Sequence, residues 1–151
     1  MVFDGAMSWP ESAAAADLPR LLRLSSFRDE RGELIVAEAG DTLPFVAARY
    51  FLVHDVPPGA TRARHAQRLG QELLSCVRGA CTVATRSPGV EAGEHRLDDP
   101  ATALYVPPGV WVECRDFSPE AMLLVACSHR YDRHDQITDP AEFEGDPAVG
   151  R

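Results

Sequence analysis

The chain has 151 residues, with 15 Lys and Arg against 23 Asp and Glu, a formal charge of −8 and 45% hydrophobic residues. That length suits one domain with one core, and the hydrophobic share excludes wholesale disorder. The acidic balance disfavours nucleic acid and anionic membranes as partners, but leaves room for a phosphorylated small molecule held by one or two arginines.

No apolar run reaches the roughly 20 residues that span a bilayer. Met1 to Ala16 carries two acids and no base, the wrong charge for a signal peptide, so a cytoplasmic protein is expected. Cys76, Cys81, Cys114 and Cys127 each lie in an apolar, strand-like stretch without CxxC or Cys/His spacing. They are expected to be reduced, buried thiols.

In chain order, residues 1–26 read as a peripheral segment, in which Ala13 to Ala16 with Leu18, Leu21 and Leu22 fit a short helical turn. Arg28 to Gly32 reads as a charged turn. Strands are expected over Glu33 to Glu38 and Ala48 to His54, the second rich in aromatic and branched residues and ended by Pro57-Pro58-Gly59. Ala60 to Gln67 is more polar and fits a strand lining a cavity. Glu72 to Val77 and Cys81 to Thr85 flank Arg78-Gly79 as a hairpin. Ala103 to Val106, Val110 to Arg115 and Met122 to Cys127 complete the strands. Arg130 to Phe143 is polar with one apolar anchor at each end, fit to pack outside the body, and residues 144–151 read as a tail. Short strands between Pro/Gly turns point to one all-β sandwich or barrel over 27–143.

The stretch Arg62-Ala63-Arg64-His65-Ala66-Gln67-Arg68 concentrates the chemistry. In a strand, His65 and Gln67 point one way and Arg64 and Ala66 the other, so a titratable base and an amide share one face. One imidazole, one amide and one carboxylate in His65, Gln67 and Glu72 make a poor transition-metal set, so no metal is expected. The alternatives for His65 are a base near neutral pH and a hydrogen-bonded strand residue with no chemical role.

The stretches RDERGELIVAEA, ARYFLVHD, RARHAQR, LLSCVRGACTV, ALYVPPGVWVECRDFS and SHRYDRHDQITDPAEF together resemble the dTDP-sugar 3,4-ketoisomerases, the WxcM-like cupin family, from Arg28 to Phe143. The resemblance implies a cupin jelly roll, a homodimer, no metal or other cofactor, and a dTDP-linked keto-deoxysugar in the barrel. The family signature is similar to Arg-Gly-x-His-Ala-His-Lys. By that match Arg62 and His65 are kept and Gln67 replaces the second histidine. A later Val-Trp-His-Glu looks like Val110-Trp111-Val112-Glu113, so a further histidine is replaced by Val112. An amide orients a hydroxyl or carbonyl but does not shuttle protons near neutral pH.

What the resemblance implies is a 3,4-ketoisomerase of deoxysugar biosynthesis acting on a dTDP-4-keto-6-deoxyhexose through an enediol. His65 is then the base and Tyr105 a candidate proton donor, with barrel packing as the other reading of Tyr105. Arg49, Arg62 and Arg64 are the arginines closest to the expected pocket and suit phosphate. Trp111 and Phe51 are candidates to stack on a base or sugar, or plain core aromatics. The replaced histidines favour an alternative, a non-catalytic sugar-nucleotide-binding cupin or helper of a partner enzyme. A third reading is a keto-sugar epimerase like the 3,5-epimerases, whose Arg-Gly-x-His-x-Gln motif Arg62, His65 and Gln67 also fit.

Overall fold

In the computed structural model, which describes residues 18–146, almost all regular structure is strand. The strands are β1 (Arg20–Arg23), β2 (Ser25–Asp29), β3 (Gly32–Val36), β4 (Arg49–His54), β5 (Arg62–Gln67), β6 (Glu72–Arg78), β7 (Cys81–Ser87), β8 (Val90–Leu97), β9 (Thr102–Val106), β10 (Trp111–Arg115), β11 (Met122–Cys127) and β12 (Gln136–Ile137). One short helix, α1 (Pro140–Gly145), follows. Two five-stranded sheets form, in the orders β1-β9-β6-β11-β4 and β12-β5-β10-β7-β8, and β2 and β3 make a separate ribbon. All pairings between these strands are antiparallel. This is the expected cupin jelly roll.

The sequence period explains the core. On β11, Leu123, Val125 and Cys127 are buried while the residues between them are partly exposed. On β4, Phe51 and Val53 turn toward the same interior. Leu74 and Cys76 from β6 join Val83, Val112 and Cys114 from the facing sheet in one apolar cluster. Burying alternate residues of two facing sheets is what makes a sandwich stable. All four cysteines are buried and unpaired, as their apolar surroundings lead one to expect.

Each sheet also has a covered outer face. Leu73, Ala103 and Tyr105 pack outside the first sheet with Leu24, Leu43 and Phe45. Ala66 and Trp111 pack outside the second with Ile137 and Phe143. Phe143 rides on α1, whose N-cap Asp139 accepts a hydrogen bond from the Ala141 N–H and whose first turn holds Pro140. Arg68 clamps that helix through ion pairs to Glu142 and Asp146.

Four strands depart from the sequence expectation. Leu21 and Leu22 belong to β1, paired with β9, and not to a helical turn; Ala13 to Ala16 lie outside the described residues. Edge pairing overrides the weak local preference here. β2 begins before residue 27, so ordered strand reaches into the segment read as peripheral. β8 is an edge strand, mostly exposed, and so lacks an apolar alternation. β12 has two residues only.

Candidate active site

Between the sheets lies a cavity of about 330 Å³, within the roughly 300–1,000 Å³ usual for small-molecule sites. Its walls are mostly apolar, from Phe51, Val53, Leu74, Val112, Leu123 and Val125, and its polar groups include Arg62, His65 and Glu72.

The backbone of β5 sets which of its side chains enter. Val112 pairs with His65 and Glu113 with Ala63, so Arg64 is an extra residue without an opposite number, a β-bulge. Ala63 and Arg64 both have φ in the left-handed region, at 68° and 65°. After the bulge, Arg62 pairs with Cys114. Val112 and Cys114 face the interior, so His65 and Arg62 face it too. A regular strand would put them on opposite faces. Arg62 makes no ion pair among the described residues.

The His65 side chain is 14% exposed. Its Nε2 is buried without a hydrogen-bond partner and lies 3.6 Å from Oε1 of Glu72, a carboxylate itself 6% exposed. That same oxygen accepts a 2.5 Å hydrogen bond from Gln67 Nε2, with the Cys127 thiol 3.9 Å away. Gly70 makes room for this arrangement, because a Cβ there would sit 1.7 Å from Gln67 Oε1. Burial, and then the negative charge of Glu72, push the Cys114 thiol up to about 12 and that of Cys127 to about 11.

The other predicted site residues are distributed differently. Phe51 lines the cavity. Arg49 reaches it only through that ring, with its guanidinium 5.5 Å from the Phe51 centroid and its Nε donating to the His129 carbonyl. Gln67 is buried against Glu72 and is not part of the cavity wall. Tyr105 stands on the far side of its sheet. It pairs with Leu73, while its neighbour Leu104 pairs with the cavity residue Leu74. Its hydroxyl donates to Gln71 Oε1 at 2.8 Å. Trp111 likewise alternates with Val112, so it points outward, against Phe143 at 5.4 Å, with its indole N–H on Glu113.

Glu72 is the polar wall residue that sequence reasoning treated only as a poor metal ligand. The signal that finds it is the period of β6. Glu72, Leu74 and Cys76 share one face, so an acid at the start of an apolar strand enters the interior.

The family model "FdtA: WxcM-like, C-terminal" matches residues 17–146. The TDP-4-oxo-6-deoxy-α-D-glucose 3,4-oxoisomerase of Aneurinibacillus thermoaerophilus is 31% identical over 125 residues, 83% of this chain and 89% of that protein. A 3,4-ketoisomerase from Helicobacter canadensis is similar in structure, with a TM-score of 0.80 and 29% identity over 83% of this chain and 94% of that one. A mutant of the 3,4-ketoisomerase QdtA from Thermoanaerobacterium thermosaccharolyticum, solved with TDP-4-keto-6-deoxyglucose, also gives a TM-score of 0.80, with 28% identity over 83% of this chain and 91% of that one. A match that runs from before β1 to the end of α1 leaves no element of the described fold outside it, and the chain belongs to the FdtA, WxcM-like family.

Proposed function

We propose that this protein is a sugar-nucleotide 3,4-ketoisomerase of deoxysugar biosynthesis, which moves the ketone of a dTDP-4-keto-6-deoxyhexose from C4 to C3. The observation that carries this reading is a histidine opening on an apolar cavity, with an unpaired arginine facing the same space. In the proposed reaction His65 removes the proton from C3. The C–H electron pair becomes the C3=C4 double bond, and the charge that develops on O4 is quenched by the proton of the O3 hydroxyl. The imidazolium then returns its proton to C4 and leaves the ketone at C3, so nothing is gained or lost overall. General base catalysis by a placed histidine contributes about 10²–10⁴-fold. Arg62 is assigned to the diphosphate, for which its forked donors suit, and Phe51 to apolar packing on the ligand. Tyr105 and Trp111, on outer faces, have no role in this scheme.

We also infer that two chains associate, through the partly open outer face of the first sheet, and that the protein works in the cytoplasm, where its buried thiols stay reduced. A second reading, a binding protein without turnover, is favoured by the amide of Gln67 and the alkyl side chain of Val112 at positions where the family signature resembles histidine.

The test is incubation with dTDP-4-keto-6-deoxyglucose in D₂O, followed by NMR. A 3-keto product with deuterium at the carbon that receives the proton is the expected result, reduced about 10²–10⁴-fold in His65→Ala. Exchange without ketone migration supports an epimerase, and binding without exchange supports the non-catalytic reading. Full activity in His65→Ala removes His65 as the base.

A further inference from the structure

The polar part of the cavity wall holds a group that the scheme above does not use. Glu72 is a carboxylate at 6% side-chain exposure whose one short hydrogen bond comes from the neutral amide of Gln67. A buried carboxylate without a cationic partner is costly, and the cost falls if a neighbour becomes positive. That neighbour is His65. Its Nε2 is shut off from solvent, has no hydrogen-bond partner, and faces Glu72 Oε1 at 3.6 Å. An orphaned imidazole nitrogen aimed at a carboxylate is half of a hydrogen bond. The gap is a few tenths of an ångström beyond bonding range, and contacts of this kind commonly tighten when substrate fills a site.

We propose that Glu72 is a positioning residue for His65: pinned by Gln67, its carboxylate accepts the imidazole Nε2–H, fixes that tautomer, and stabilises the imidazolium formed when Nδ1 takes the substrate's proton. The proposal rests on the reading of His65 as the base. The hydrogen bond at one ring nitrogen decides which nitrogen keeps a lone pair. Here the Nε2–H is committed to Glu72, so the basic atom is Nδ1. The arrangement also gives Gln67 a task suited to an amide. It does not move protons; its N–H₂ group holds the carboxylate in place, in a pocket left open by the missing side chain of Gly70. The anionic carboxylate then attracts the imidazolium more than the neutral ring, which lowers the barrier to proton abstraction.

The test uses the full-length protein labelled with ¹⁵N-histidine, the Glu72→Gln and Glu72→Asp variants, and dTDP-4-keto-6-deoxyglucose. In the wild type, the two- and three-bond ¹H–¹⁵N correlations of His65 at high pH are expected to show the Nε2–H tautomer. A wild-type His65 found as the Nδ1–H tautomer overturns the proposal with no variant needed. In Glu72→Gln the tautomer preference is expected to weaken. The kcat is expected to fall about 10- to 100-fold, the worth of one charge-assisted hydrogen bond, with KM little changed. Glu72→Asp is expected to recover part of that loss. Unchanged ¹⁵N signals and kcat in folded Glu72→Gln overturn it equally. If the wild type isomerises nothing, the ketoisomerase reading fails, and the tautomer measurement still decides what Glu72 does to His65.

Discussion

Arg62 and His65 face one cavity although they stand three positions apart along a single strand. The cause is the bulge at Arg64, which uses up one residue and restores the parity between them. The bulge is therefore part of the site. Deleting Arg64 is expected to leave a regular β5 in which Arg62 and His65 stand two positions apart, so Arg62 stays opposite Cys114 and TDP binding, measured by calorimetry, is kept. Arg62→Ala is expected to weaken that binding about 10- to 100-fold, the scale of hydrogen bonds to a charged group. Equal binding by Arg62→Ala and the wild type sinks the assignment of Arg62 to phosphate.

The bulge is held at a local cost. Ala63 has φ of 68°, a region that costs a residue with a Cβ about 1–2 kcal/mol. Glycine avoids that strain but loses roughly 0.5–1 kcal/mol through greater freedom in the unfolded chain. The difference favours glycine, so Ala63→Gly is expected to raise stability by roughly 0.5–1 kcal/mol in urea unfolding. Ala63→Val is expected to destabilise, because a branched side chain fits this conformation worst. A loss of stability in Ala63→Gly contradicts the strain argument.

Much of this architecture was legible from the sequence, for definable reasons. Strands with one face in the core carry the alternation that marks them, as Phe51 and Val53 do on β4 and Leu123 and Val125 on β11. The edge strands β1 and β8 bury little and leave no such trace. Of the residues singled out for a site, His65, Arg62 and Phe51 line the cavity. Strand parity alone would have set Arg62 against His65. Nothing in RARHAQ announces a bulge, since no glycine stands at either left-handed position. Tyr105 and Trp111 fell outside the cavity for the opposite reason. Aromatic residues near Pro-Pro-Gly attract functional readings, and only the pairing of Leu104 with Leu74, and of Val112 with His65, fixes which face each aromatic takes.

The thiols of Cys114 and Cys127 are held well above the 9.0 of a free thiol, at about 12 and about 11. Burial is the larger cause and the negative charge of Glu72 the next. The folded state therefore holds these protons more tightly than the unfolded chain. Their contribution to stability is complete below about pH 9 and is lost as pH rises toward 11 and 12. Urea midpoints are expected to fall across that window, and less steeply in a Cys114→Ala, Cys127→Ala double variant. At pH 8 neither thiol is expected to react with a disulfide reagent until the chain unfolds. Prompt labelling of Cys114 in the native protein counts against this account.

β4 is an edge strand, and Tyr50 and Leu52 on its outer side are 72% and 47% exposed. They pair with Ala126 and Leu124 on β11, so the apolar stripe continues inward to the groove beneath β3, lined by Ile35 and Leu73. Single exposed apolar residues are ordinary, but a continuous stripe beside an unpaired strand edge invites association. A second copy of the chain can cover both, by strand pairing along β4 and by apolar contact at Tyr50 and Leu52. Light scattering is expected to give twice the 16.5 kDa of one chain. Leu52→Glu is expected to shift that mass toward the monomer, because a carboxylate buried at such an interface has no partner there. The cavity lies on the other side of the sheet, so the Leu52→Glu monomer is expected to bind TDP still. A wild-type chain that runs as a monomer removes the dimer from the proposed function and leaves the chemistry of His65 untouched.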